Sequence, residues 1–115
     1  MEYKRSDRVG DLLLQVVSEL LVREVSDPRL GAVTLTGVDV SPDLRHAKIY
    51  FNLLTGSAEK KEALKGLKSA SGFIRGRAGK ALKLRLVPTI EFVYDDTEER
   101  ARRIDELLQN TKKED

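Results

Sequence analysis

The chain has no cysteine, no tryptophan, one methionine and three prolines in 115 residues. Without cysteine there is no disulfide scaffold, no thiolate metal centre and no cysteine nucleophile, which sits comfortably with a reducing compartment. His46 is the only histidine, so no histidine cluster with metal-ligand spacing exists. Aromatic residues amount to 5% of the chain, too few to support a base-stacking sheet of the RNA-recognition-motif kind. No apolar run approaches the ~18 residues of a membrane span. The opening Met1-Glu2-Tyr3-Lys4-Arg5 lacks the apolar core of a signal peptide, and the early acids Glu2, Asp7 and Asp11 are unlike a transit peptide. The expectation is one cytoplasmic domain over residues 1–108, with a polar, disordered tail at 109–115.

What the chain does have is apolar mass and charge. Leu, Ile, Val and Phe number 34, ample for a core, which excludes global disorder. Charged residues make up 35%, yet the net charge is only +2. That figure hides a partition. Residues 60–85 carry nine basic residues against one acid, net +8, while the segments before and after are net −2 and −4. A block so basic inside a near-neutral domain points to a polyanion surface. The competing reading is an ordinary solvated helix face.

Hydrophobic spacing orders the elements. Val9, Leu12, Leu13, Val16, Val17, Leu20 and Leu21 recur at helical spacing, predicting a helix capped by Ser6 or Asp7 and running to about Val25. Asp27-Pro28-Arg29-Leu30-Gly31 ends it. Val33-Thr34-Leu35-Thr36 alternates as a strand, and a bulge at Gly37 returns Val38 and Val40 to the core side. Ser41-Pro42-Asp43-Leu44 is a turn, after which Ala47, Ile49, Phe51 and Leu53 form the inner face of an antiparallel partner. Ser57 caps a long helical stretch. Its four glycines, each costing about 1 kcal/mol against alanine in a helix interior, predict a kink or split at Ala70-Ser71-Gly72. Val87-Pro88 stops it, Ile90, Phe92 and Tyr94 mark a third strand, and Thr97 caps a last, weakly apolar helix. The fold class is α+β, with three strands covered by helices on one face.

No constellation for catalysis emerges. Asp39, Asp43 and Asp95-Asp96 sit at turn and capping positions; no nucleophile elbow, Walker motif or dinucleotide glycine motif occurs. No metal or cofactor is implied. The remaining signal is the basic helix. On a wheel of about 100° per residue, Lys61, Lys65, Lys68, Arg75 and Lys83 gather on one side, together with Gly72, Gly76 and Gly79. Lysine and arginine neutralise phosphates, and side-chain-free glycines let a sugar-phosphate backbone approach. Alternatively, the glycines serve helix packing or mark the kink. Tyr50 is read as an ordinary exposed sheet tyrosine. Gly76-Arg77-Ala78-Gly79 matches the G-x-x-G clamp of KH domains, but it falls inside a helix rather than in a loop.

In this order the segments resemble the ribosome-binding factor A family, bacterial assembly factors of the small ribosomal subunit. Arg8-Val9, Asp27-Pro28-Arg29-Leu30, Val33 to Val38, Ser41-Pro42-Asp43-Leu44 and Ala47-Lys48-Ile49-Tyr50 carry the first half of the resemblance. Ser71-Gly72-Phe73-Ile74-Arg75, Gly79-Lys80, Leu84-Arg85, Val87-Pro88 and Phe92 to Asp96 carry the second. The resemblance covers about residues 5–108. It implies a type II KH-like fold, α-β-β-α(kink)α-β, with the kink near Ala70 in place of the G-x-x-G loop; Gly76 departs from the bulkier residue usual there. It further implies binding to the small subunit in late maturation, contact with rRNA near the neck, help with rRNA 5′-end processing, and a link to growth in the cold. The candidate RNA contacts are Arg5, Arg8, Arg45, Lys48, Lys61, Lys65, Lys68, Arg75, Lys80, Lys83 and Arg85 of a monomeric, non-catalytic factor with no membrane or small-molecule partner. A protein-interaction adaptor and a generic KH-type nucleic-acid module remain open as alternatives.

Overall fold

The first amphipathic segment forms helix α1, Arg5–Arg23. It starts one residue before the predicted caps. Lys4 occupies the cap, and its backbone N–H donates to the Asp7 carboxylate at 2.8 Å, so Asp7 works from the third helical position while Ser6 is buried. The computed structural model describes residues 2–113. After a 3-10 turn at Pro28–Leu30 come strands β1 (Val33–Val40) and β2 (His46–Leu53), a second 3-10 turn at Ser57–Glu59, helix α2 (Lys60–Leu82), strand β3 (Thr89–Tyr94) and helix α3 (Thr97–Lys113).

The sheet has the order β1-β2-β3. β1 pairs with β2 antiparallel, and β2 pairs with β3 parallel. A parallel neighbour needs a crossover connection, and α2 supplies it. The predicted bulge is present. Register shifts between Leu35 and Gly37, leaving Thr36 as the extra residue, after which Val38 and Val40 lie under α1. A Cβ on Gly10 would sit 3.2 Å from Val38 and 3.3 Å from Val40, so α1 approaches the sheet as closely as its glycine allows.

Both long helices pack on one sheet face. Leu13 and Val17 of α1 and Ile74 and Ala78 of α2 meet Val40, Ala47 and Ile49; Ala63 and Leu67 meet Leu30, Phe51 and Leu53. Each fully buried leucine, isoleucine or phenylalanine among them contributes roughly 1.5–3 kcal/mol. No helix of the described residues is long and apolar enough to cross a membrane.

Four expectations need correction. α2 is one continuous helix of 23 residues, so Ala70, Ser71 and Gly72 lie inside it and not between two helices. At two of the four glycines, packing leaves no room for a side chain. A Cβ on Gly66 would meet Leu30 at 2.9 Å, and one on Gly79 would collide with a Val87 methyl. Ser57 forms no cap; it opens the 3-10 turn that leads into α2. At α3 Thr97 is the first helical residue and does not cap; its N–H donates at 3.0 Å to the carboxylate of Asp95, two residues earlier. Finally, α3 runs to Lys113, so residues 109–113 extend a helix and do not form a disordered tail; residues 114 and 115 lie outside the described residues.

Candidate nucleic-acid interface

α2 sorts its side chains by helical phase. Leu67, Ile74 and Ala78 face the core, while Lys61, Lys65, Lys68, Gly72 and Gly76 are exposed along the opposite flank. Three of the predicted lysines are therefore brought into one row on a single rigid element, with Lys80 exposed further along the helix. Glu62 lies 3.4 Å from Lys65, but both side chains are well exposed, and such a pair contributes little. Next to the row, Gly72 and Gly76 have open space where a Cβ would stand. Gly79, placed on this face by the wheel, is buried against Val87 instead.

Lys83 ends α2 in the left-handed conformation, φ 54°. The Leu84 N–H donates to the Gly79 carbonyl at 3.0 Å and the Lys83 N–H to that of Lys80 at 3.3 Å. This closes the helix in a Schellman arrangement, where glycine is usual. Lys83 and Arg85 remain exposed beyond it. Arg5 and Arg8 lie exposed in the first turns of α1 and Arg45 in the hairpin turn. Contact of Gly10 with Val38 and Val40 sets the start of α1 over the hairpin end of the sheet.

Two predicted contacts stand apart. Arg75 turns inward: Nε donates to the Pro88 carbonyl at 3.1 Å and Nη2 to the Val87 carbonyl at 3.0 Å. Its guanidinium holds the α2–β3 connection. Lys48 lies on the opposite, open face of the sheet, in register with Asp39 on β1 and Glu91 on β3. Flanking carboxylates offset its charge there.

Two cations of this surface were not anticipated. Lys60 sits over the Tyr94 ring, 5.2 Å from its centre. Arg77 lies over the Phe73 ring at 5.4 Å and pairs with Glu24 at 3.8 Å. The available signal was an aromatic followed four residues later by arginine, which one helical turn superposes.

The β3–α3 junction is fixed by acids. Asp95 accepts from Thr97 and from the Thr36 hydroxyl, the latter at 2.7 Å, and these bonds hold its carboxyl below the usual range. Tyr94 donates to Glu99 at 2.5 Å, which pushes the phenol up to about 12 and the Glu99 carboxyl down. These groups anchor elements; they do not gather into a reacting centre.

Residues 5–108 match the family model described as ribosome-binding factor A. The ribosome-binding factor A of Geobacter metallireducens is 49% identical over 106 residues, spanning 92% of this chain and 90% of that protein. A solution structure of a Thermotoga maritima putative ribosome binding factor A superposes with a TM-score of 0.72 at 30% identity, covering 81% of this chain and 89% of the other. A Thermus thermophilus ribosome binding factor A model, fitted into a cryo-electron-microscopy map of its complex with the 30S subunit, shares the fold. Its TM-score is 0.63 at 23% identity, covering 76% and 91%.

Proposed function

Because the chain belongs to the ribosome-binding factor A family, we propose that it binds the small ribosomal subunit during late maturation, in the bacterial cytoplasm, through the exposed basic flank of α2. The carrying observation is the row Lys61, Lys65 and Lys68 beside the open positions Gly72 and Gly76. Phosphates supply the matching charge, and bare helix backbone allows a sugar-phosphate strand to come close. Lys80, Lys83 and Arg85 extend the track along the chain, and Arg5, Arg8 and Arg45 add charge at the hairpin end. The core beneath α2 holds the row rigid, so the charges are positioned before the rRNA arrives. The factor acts by binding, without catalysis. Occupying rRNA near the neck, it aids processing of the rRNA 5′ end and leaves when the subunit matures.

Sucrose-gradient co-sedimentation with separated subunits tests this reading. The chain is expected with small subunits and not with large ones, and its binding constant is expected to fall as salt rises. With five lysine contacts to unpaired rRNA, the log–log slope is about −3.5. Binding indifferent to salt, or equal for both subunits, overturns the reading.

A further inference from the structure

Beside the lysine row, Phe73 is 44% exposed, whereas Leu67 and Ile74 of the same helix are fully buried and Leu64 and Leu82 are half-buried. Its ring carries the Arg77 guanidinium 5.4 Å from the ring centre. Gly72 precedes it and Gly76 follows one turn later, and a Cβ at either would meet nothing within 4 Å. Gly72, Phe73, Gly76, Arg77 and Lys80 thus line a shallow hollow of about 220 Å³ with an aromatic wall, a bare backbone floor and a cationic rim.

We propose that this hollow is a stacking site for one unpaired nucleobase of single-stranded RNA, with Phe73 as the platform. The inference rests on the rRNA-binding reading and adds to it a preference for unpaired over duplex RNA. A base has an apolar face that suits the ring, and base–aromatic stacking tolerates any base because each has a π-face. The strand that carries the base is a polyanion, which suits Arg77, Lys80 and the neighbouring lysine row. A duplex hides its base faces within the stack and cannot use the platform. Arg77 has a second restraint, its ion pair with Glu24 at 3.8 Å, with both side chains 40% or more exposed. That pair is weak enough to yield to a phosphate, yet it keeps the guanidinium at the ring in the free protein.

The test compares the wild-type chain with Phe73→Leu, Phe73→Tyr and Gly76→Leu. Binding is titrated against a short single-stranded RNA carrying 2-aminopurine and against the same strand annealed to its complement. Phe73→Leu keeps apolar bulk but removes the ring, and is expected to weaken single-strand binding about 5- to 150-fold, the range for losing one stacked base. Its salt slope and its duplex binding stay as in the wild type. Phe73→Tyr retains wild-type affinity, and stacking appears as quenched 2-aminopurine fluorescence that Phe73→Leu abolishes. Gly76→Leu fills the hollow while leaving the ring in the chain, and is expected to lose the same preference. Single-strand affinity unchanged in both Phe73→Leu and Gly76→Leu, with salt dependence intact, overturns the stacking site and leaves the rRNA reading standing. Equal loss in Phe73→Tyr and Phe73→Leu also overturns it. Failure of the wild-type chain to bind either RNA or small subunits overturns both.

Discussion

Arg75 and Lys68 look alike in sequence, as basic residues on one helix, yet they differ in what they hold. Arg75 donates to two main-chain carbonyls, at 3.1 and 3.0 Å, while Lys68 stands exposed. Arg75→Ala leaves those half-buried acceptors unpaired and is expected to cost about 1–3 kcal/mol in urea unfolding. Arg75→Lys is expected to recover little of that, because an ammonium lacks the planar fork that reaches both oxygens. Lys68→Ala is expected to leave stability within about 0.5 kcal/mol while weakening RNA binding. Single-residue chemistry also sets the pH response. Hydrogen bonds from Arg29 to Asp27, from Ser41 to Asp43, from Thr97 to Asp95 and from Tyr94 to Glu99 hold all four carboxyls below their ordinary values. Their folded forms stay ionised where the unfolded chain protonates. Their contribution is complete above the ordinary carboxylate range of about 4 and is lost as pH falls through the lowered values. Tyr94 works at the other end. Its phenol, pushed up to about 12, keeps its proton while the unfolded chain loses it, so this bond's contribution is lost as pH climbs from about 10 towards 12. Urea midpoints are expected to fall on both sides, and Tyr94→Phe should remove much of the alkaline fall. An acid limb that begins only well below pH 3 would contradict the carboxyl assignment.

The elements were legible to different degrees, for a physical reason. Burial period identifies α1, β1, β2 and β3, because Leu13, Val17, Ile49 and Phe51 repeat at the spacing of the element that buries them. The Thr36 bulge was legible too, since the parity of Val38 and Val40 changes across Gly37. The direction of β3 was not, because nothing local distinguishes a parallel from an antiparallel neighbour. Nor was the continuity of α2. Glycine carries an intrinsic helix penalty that is visible in sequence, but at Gly66 and Gly79 its compensation comes from Leu30 and Val87, which lie outside the helix. Glycines of one helix should therefore answer alanine with opposite signs. Gly72→Ala and Gly76→Ala enter open space and are expected to stabilise by about 0.5–1 kcal/mol through helix propensity alone. Gly79→Ala drives a methyl into Val87 and is expected to destabilise by about 1–3 kcal/mol, despite the same propensity gain. Thermal or urea unfolding of the three variants reads the signs directly. A stabilised Gly79→Ala would mean that α2 does not press against Val87.

At the scale of the whole molecule, the charge partition points to one helix but does not say which of its basic residues face outward. Nine basic residues between 60 and 85 fall on α2 and the turn that follows it; fold topology then turns Arg75 inward to the chain returning at Val87–Pro88 and leaves Lys48 on the far side of the sheet. Shape adds something that no count contains. The radius of gyration is 16.9 Å, against about 13 Å for a compact chain of this length, and the long axis is 61 Å. The apolar edge of α3 was legible, but its exposure was not: Ile104, Leu107 and Leu108 stand 57%, 60% and 58% exposed, far from the core that α1 and α2 share. Among the described residues, only the start of α3 is tied down, by Asp95 to Thr36 and Thr97 and by Tyr94 to Glu99. A chain ending at Arg103 keeps every one of those bonds and loses helix that buries little. Its unfolding free energy is expected to stay within about 0.5 kcal/mol of the full chain. Residues 104–115 hold four acids and two lysines, so the same truncation raises the net charge from +2 to +4. Affinity for small subunits is then expected to hold or to rise slightly at low salt, with the difference vanishing as salt screens it. A loss of more than about 2 kcal/mol on truncation would show that the exposed edge of α3 packs against the domain after all.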